Sequence, residues 1–460
     1  MQTLSRVPVI LLLVLGVFFA LVAGLASSIL PWWLVLPVFA LPVVVAASWR
    51  WPLVALLGVL MAVFGVLPLS PGSRIKDFLV GMLLVFLLVV RWEMVASVWK
   101  LYRKQLLWLG ALSGWAVLSG IYGIYYQHNL QIYVYQETAT MLYWLLLIVS
   151  ALIAKDERAA ELLLKILIGV SVALSLVSLA QSLFGLRLLF TGDSRVELLD
   201  AGSGGIPGVA RSLVPALQLV LFSYLFSLSA ILRGGGKRWV WWFVLFSTMG
   251  ALFVTYGRAT WTITILLSFL VAALISRKAF GRFVLMSTVL LVVLGVLAHA
   301  FMPTLIEGAV SRMTSLGNEG GTSSSFGWRI TENIFAIPQI LNHPLLGLGF
   351  GAEYKPRLVE TKFFTEQTRY IHNGYLYILL KTGFVGFLLY MGNYFYIVYS
   401  CFKGGKYRSK EYTSRVALGA LLIGTLFLNV TQPDLFSAST IASIAVLAPA
   451  VLQTRLKWQE

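Results

Sequence analysis

The sequence predicts an all-α polytopic membrane protein, with about 12–14 transmembrane helices and a helical loop domain on the outer face of the membrane. Three observations carry this. The 460 residues are 59% hydrophobic and only 12% charged, where soluble chains carry about a quarter of charged residues. Apolar runs of roughly 18–25 residues recur from end to end, each long enough to cross about 30 Å of hydrocarbon. Basic residues gather in short connections: CFKGGKYRSKEYTSR (401–415) has five against one acid, and RGGGKR (233–238), SRKAFGR (276–282) and RWEMVASVWKLYRKQ (91–105) are also basic. By the positive-inside rule these connections face the cytoplasm. The net charge of +17 is then a topology signal and not a nucleic-acid footprint.

Fourteen candidate spans begin near residues 8, 31, 52, 77, 105, 137, 159, 211, 239, 258, 281, 371, 416 and 437. The first, after Arg6, is longer than the apolar core of a signal peptide and is followed at once by a second, so a retained helix is expected. The runs near 31 and 77 are short enough to be re-entrant or interfacial. Threading the basic loops inside puts both termini in the cytoplasm. The expected division is residues 1–302 as transmembrane helices with an outer loop at 186–211, 303–370 as a folded cap, and 371–460 as C-terminal spans. The loop 303–370 has six basic residues and six acids. Within it FGWRITENIFAIPQIL (326–341) repeats apolar residues at Phe326, Ile330, Ile334, Ile337 and Leu341, the spacing of a helix with one buried stripe, which Pro338 is placed to kink. No internal repeat is visible, which disfavours repeat-built transporters. The lone Cys401 excludes an internal disulfide and a cysteine metal site.

Residues with chemistry collect on the outer side. RYIHNGYLYILLKTGFVG (369–386) places His372 and Asn373 at the mouth of an apolar helix, with Gly383 and Gly386 further in. On a continuous helix at 100° per residue, both glycines fall on the face of His372. Alone, that face reads as a packing stripe with an interfacial histidine. Arg258, in TYGRATW, sits where two spans meet with almost no linker, and Arg211 precedes the span after GIPGVA. Snorkelling or membrane flanking accounts for either arginine singly. Together, guanidinium groups that grip pyrophosphate and a histidine that takes a proton from a hydroxyl suggest transfer from a lipid pyrophosphate. No DxD motif or other tight pair of carboxylates occurs among the eighteen acids, so no metal is expected.

Other candidates are weaker. His343 reads as a helix-end residue, and His299 and His128 as structural. Gly347, Gly349 and Gly351 superficially resemble a nucleotide loop, but they follow a helix and not a strand. Arg329 is placed to reach the membrane surface or pair with Glu332, and Lys381, projecting opposite His372, reads as a packing or snorkelling lysine.

HNGYLYILLKTGFVG resembles the signature of the O-antigen ligase and polymerase superfamily: His, then Asn, Ser or Gln, nine residues, Gly, two residues, Gly. His372, Asn373, Gly383 and Gly386 match it. RITENIFAIPQILNHPLLGLGFG is similar to that family's arginine-led helix and Pro-Leu-Leu-Gly-x-Gly turn, and TYGRATW resembles its arginine between two spans, often Ser-Arg-Gly. The resemblance covers about residues 200–390. It implies an inner-membrane glycosyltransferase with a periplasmic loop domain, no metal and no cofactor. The donor would be a glycan on undecaprenyl pyrophosphate and the acceptor lipid A–core. His372 would be the base, Arg211 and Arg258 would hold the pyrophosphate, and Arg329 would assist. A polymerase with the same donor, a protein O-oligosaccharyltransferase, an anion transporter and an envelope-assembly scaffold stay open.

Overall fold

The computed structural model describes residues 52–64, 92–184, 196–198, 210–214, 216–234, 238–301, 325–356, 368–403 and 412–453, with the isolated positions 77, 80, 81, 307 and 310. It is an all-α membrane protein. In chain order the helices are α1 (Pro52–Val63), α2 (Trp92–Tyr125), α3 (Gln131–Leu142), α4 (Leu146–Ile153), α5 (Glu157–Phe184), α6 (Leu217–Leu232), α7 (Arg238–Phe253), α8 (Arg258–Ile275), α9 (Arg277–Phe301), α10 (Ser325–Asn342), α11 (Gly374–Phe402), α12 (Thr413–Leu428) and α13 (Ala438–Gln453). Two short antiparallel strands, β1 (Val196–Leu198) and β2 (Ala210–Ser212), lie between α5 and α6.

Five described segments are long and apolar enough to cross a membrane: Tyr102–Tyr125, Gln131–Ile153, Glu157–Phe184, Arg258–Ile275 and Gly374–Phe402. Shorter apolar helices stand at the other expected places, including Pro52–Val63, Thr413–Leu428 and Ala438–Gln453. The spans expected near 8 and 31 lie outside the described residues, as does most of the one near 77. The span expected to open at Arg211 begins instead at Leu217, because Arg211 belongs to β2. Helix α6 is the centre of the bundle. It packs against α5, α7, α8, α12 and α13, and nearly all its side chains are buried. Arg415 at the start of α12 bonds the Leu452 carbonyl on α13, and Gln453 bonds the Tyr102 hydroxyl. These contacts gather the end carrying the basic connections.

Helix α11 is broken inside the membrane. Gly383 has φ +64° and ψ −172°, so the helix stops and restarts there. A break in a span strands backbone groups that lipid cannot satisfy. Here four of them find partners outside the helix. The carbonyls of Leu380, Lys381 and Thr382 accept from Leu348 N (2.7 Å), Ser119 Oγ (3.1 Å) and Trp115 Nε1 (3.0 Å), and Phe384 N donates to Pro344 O (2.8 Å). A Cβ at Gly383 would lie 2.2 Å from the Leu345 carbonyl oxygen, so glycine is required by both torsion and space. Helix α2 supplies Ser119 and Trp115, and the turn after α10 supplies Leu348 and Pro344. Its Gly347, Gly349 and Gly351 all have positive φ, and they pack against the backbone of Gly383, Gly123 and Val134. The three glycines serve close packing.

Helix α10 continues through Pro338, and two expectations are corrected. Its apolar stripe does not face inward: Ile330, Ile334, Ile337 and Leu341 are 48, 64, 45 and 71% exposed, while Glu332 and Ala336 are buried. In a membrane protein the greasy face of an amphipathic helix meets lipid, which inverts the rule for soluble helices. Lys381 does not snorkel. It is fully buried, with Nζ 3.1 Å from Glu137 Oε1 and 2.7 Å from the Ala352 carbonyl. Tyr377 Oη (2.9 Å) and Gly351 N (2.7 Å) complete the Glu137 carboxylate.

Candidate active site

The mouth of α11 is set by its cap. Asn373 has extended torsions, and its Oδ1 accepts from Tyr375 N (3.0 Å) and Leu376 N (3.2 Å), closing the first turn. Gly374 N donates to the Asn429 carbonyl at the end of α12 (2.8 Å), and a Cβ on Gly374 would lie 2.0 Å from Asn429 Oδ1. His372 therefore sits before the helix, pinned between α10 and the end of α12. The face shared with Gly383 and Gly386 does not form, because His372 is outside α11 and Gly383 breaks it. Gly386 keeps a packing role: a Cβ there would lie 2.5 Å from the Trp115 indole nitrogen.

The partner of His372 is Glu332 on α10. The backbone N of His372 donates to Glu332 Oε2 (2.8 Å), and Nδ1 lies 3.0 Å from both carboxylate oxygens. The Glu332 side chain is 1% exposed and that of His372 15%. A carboxylate that accepts at this position makes Nδ1 the donor, and in the neutral ring Nε2 is then the nitrogen with the lone pair. Lys355 Nζ stands 3.9 Å from Glu332 Oε1. Burial pulls this ammonium below the ordinary lysine range, and the carboxylate opposes that shift. The Tyr370 ring meets the imidazole edge-on at 5.0 Å. Arg329, one turn before Glu332, points its Nε at the Thr431 carbonyl (3.3 Å) just beyond α12. Glu332 thus turns to His372, and Arg329 reaches toward the end of α12.

The other two arginines meet at one turn. Arg211 lies opposite Glu197 in the β1–β2 register, and its Nε donates to the Thr255 carbonyl (2.8 Å) while Ser212 N bonds Val254 O (3.1 Å). Three residues on, Arg258 is the first residue of α8, after Gly257 as N-cap. Helix α12 joins this group to His372. A Cβ on Gly424 would touch Ile263 and Leu267 of α8, so Arg258, five to nine residues along α8, and Asn429, five along α12, lie toward one end of the pair. Thus Arg258 and His372 flank the same end of α12, away from the basic connections.

His343 is the helix-end residue it was expected to be, its N bonded to Gln339 O at the close of α10. His128 stands in the α2–α3 turn with φ +54°, and His299 lies in α9. Sequence reasoning did not find the Glu332–His372 pair. The available signal was a lone glutamate on the polar side of an amphipathic helix that begins beside an arginine.

These features define a multi-pass membrane protein with a carboxylate–imidazole pair at the mouth of α11 and two arginines at the turn before α8. Residues 217–391, under half of the chain, match the family model described as O-antigen ligase. That family implies glycan transfer of the O-antigen ligase type. The matched stretch contains Arg258, Arg329, Glu332 and His372, and begins six residues after Arg211. No curated protein matches the chain.

Proposed function

We propose that the protein is an inverting, metal-independent glycosyltransferase of the bacterial inner membrane. It moves a glycan from undecaprenyl pyrophosphate to lipid A–core on the periplasmic face, with both termini in the cytoplasm. The observation that carries this reading is the Glu332–His372 pair at the mouth of α11, inside the family-matched stretch. Nε2 of His372 takes the proton of the acceptor hydroxyl as its oxygen attacks the anomeric carbon. The bond from that carbon to the pyrophosphate oxygen breaks, and undecaprenyl pyrophosphate leaves from the opposite face. Glu332 steadies the imidazolium, as a buried carboxylate does for a catalytic histidine. Arg258, Arg211 and Arg329 offer guanidinium donors to the leaving charge. Arg211 uses one of its five N–H groups to hold the Thr255 carbonyl.

The test is transfer by the full-length protein in lipid vesicles, with undecaprenyl-pyrophosphate-linked glycan and lipid A–core supplied together. Product on lipid A–core that disappears with His372→Ala at normal protein level is expected. Extension of the lipid-linked glycan in place of core modification would instead identify a polymerase. Full transfer by His372→Ala would remove the base assignment.

A further inference from the structure

A polar cavity of about 420 Å³ opens beside the candidate site. Its volume suits a small-molecule site, roughly 300–1,000 Å³. Gln127, His128 and Asn129 from the α2–α3 turn face Glu353 and Arg369 across it. We propose that this cavity binds the neutral saccharide of the acceptor, a deepening that rests on the transferase reading above.

The walls are fixed in advance. Asn129 Nδ2 donates to the carbonyls of Leu348 (3.0 Å) and Phe350 (2.9 Å), and Gln127 Nε2 donates to Tyr122 Oη (2.7 Å). Gly351 is held from both sides, its N by Glu137 (2.7 Å) and its O by Arg369 Nε (3.1 Å). His128 keeps a left-handed backbone, φ +54°, a conformation uncommon outside glycine and often retained at binding sites.

The charge balance selects the ligand. Arg369 pairs with Glu353 and lays its guanidinium 3.9 Å over the Tyr133 ring. One cation is matched by one anion, so the cavity does not favour a pyrophosphate. Amides, imidazole, carboxylate and guanidinium together both donate and accept, which suits hydroxyl groups that do the same.

Position assigns the saccharide to the acceptor. Arg369 is three residues before His372, and Tyr370 between them touches the imidazole. Helix α11 packs on α2 at the cavity side and on α12 at the other, and α12 packs on α8, which starts with Arg258. The arginines and the cavity thus approach His372 from different neighbours, as two substrates of one transfer must.

Full-length protein in nanodiscs tests this by saturation-transfer NMR with methyl glucoside, methyl galactoside and methyl N-acetylglucosaminide, and by phosphorus line broadening with inorganic pyrophosphate. At least one glycoside is expected to show transfer, reduced severalfold by Gln127→Ala and by His128→Asn, which tolerates the same torsion. Neither variant should alter the pyrophosphate response, and unchanged thermal midpoints would show that both fold. In the transfer assay the two should raise the acceptor KM severalfold and leave the donor KM alone. Absent glycoside signals, or signals indifferent to both variants, overturn the cavity assignment even where His372-dependent transfer stands. Cavity-dependent glycoside binding without His372-dependent transfer overturns the transferase reading instead.

Discussion

Replacing Glu332 by glutamine probes the candidate site most sharply. The carboxylate holds His372 by its backbone N and by Nδ1, at 2.8 and 3.0 Å, with 1% of its side chain exposed. Glutamine keeps one oxygen and presents an NH₂ group with the other arm. Its one oxygen must serve both donors without a negative charge, so the charge-assisted bond to the imidazole is lost. A hydrogen bond to a charged group is worth about 1.5–3 kcal/mol. At about 1.4 kcal/mol per tenfold, loss of that term in the transition state slows transfer by about 10- to 150-fold. His372→Ala removes the base itself and should slow it by about 10²- to 10⁴-fold. The double variant should be no slower than His372→Ala, since both residues act as one unit. The assay is single-turnover transfer in vesicles, with kcat separated from both KM values. A Glu332→Gln protein that transfers at the wild-type rate, or that changes only KM, refutes the argument. Glu332→Asp, which keeps the charge but shortens the arm, should fall between wild type and Glu332→Gln.

Three further outcomes are expected. Trp115→Phe leaves the Thr382 carbonyl without its indole partner and should destabilise the fold by about 1–3 kcal/mol, read as a lower thermal midpoint in detergent; an unchanged midpoint would show that the α11 break needs no repair. Lys381→Met leaves Glu137 buried opposite an apolar chain and should cost about 3–5 kcal/mol, most of it recovered in the double variant with Glu137→Gln; additive losses would contradict the pairing. Burial pushes Asp434, between α12 and α13, up to about 7, so the folded protein binds the extra proton between about pH 4 and that value. Stability then falls as pH rises through that window and levels off above it. Asp434→Asn should flatten the slope of midpoint against pH, and a slope that persists would assign it elsewhere.

Most spans were legible because hydropathy reports transfer into lipid directly. The misreadings arose where hydropathy says nothing of direction. Arg211 looked like a helix flank, yet its backbone is in β2 and its side chain reaches Thr255, a partner that local spacing cannot reveal. The stripe at Ile330, Ile334, Ile337 and Leu341 had the right period and the wrong destination, since period does not distinguish core from lipid. His372 was singled out by residue type, but its helical phase assumed an unbroken α11, and Gly383 interrupts that helix. Glu137 and Lys381 each stood alone in an apolar run, and Glu332 among ordinary loop charges. A solitary charge within a span does announce a partner. What it withholds is which one, here 244 residues away.

The break at Gly383 also bears on how the chain is assembled. The groups that repair it come from α2, more than 260 residues upstream, and from the turn at Pro344–Leu348, which is synthesised before α11. The turn's own contacts, Gly349 against Gly123 and Gly351 against Val134, likewise await the α2–α3 pair. Domains fold from the N-terminus during synthesis, and the translated order meets this requirement: hairpin first, then turn, then the interrupted helix. When α11 leaves the ribosome, its partners are already at hand. The glycine turn is thus a landing already seated on the α2–α3 hairpin when α11 arrives, and the broken helix whose mouth holds His372 takes its shape from it.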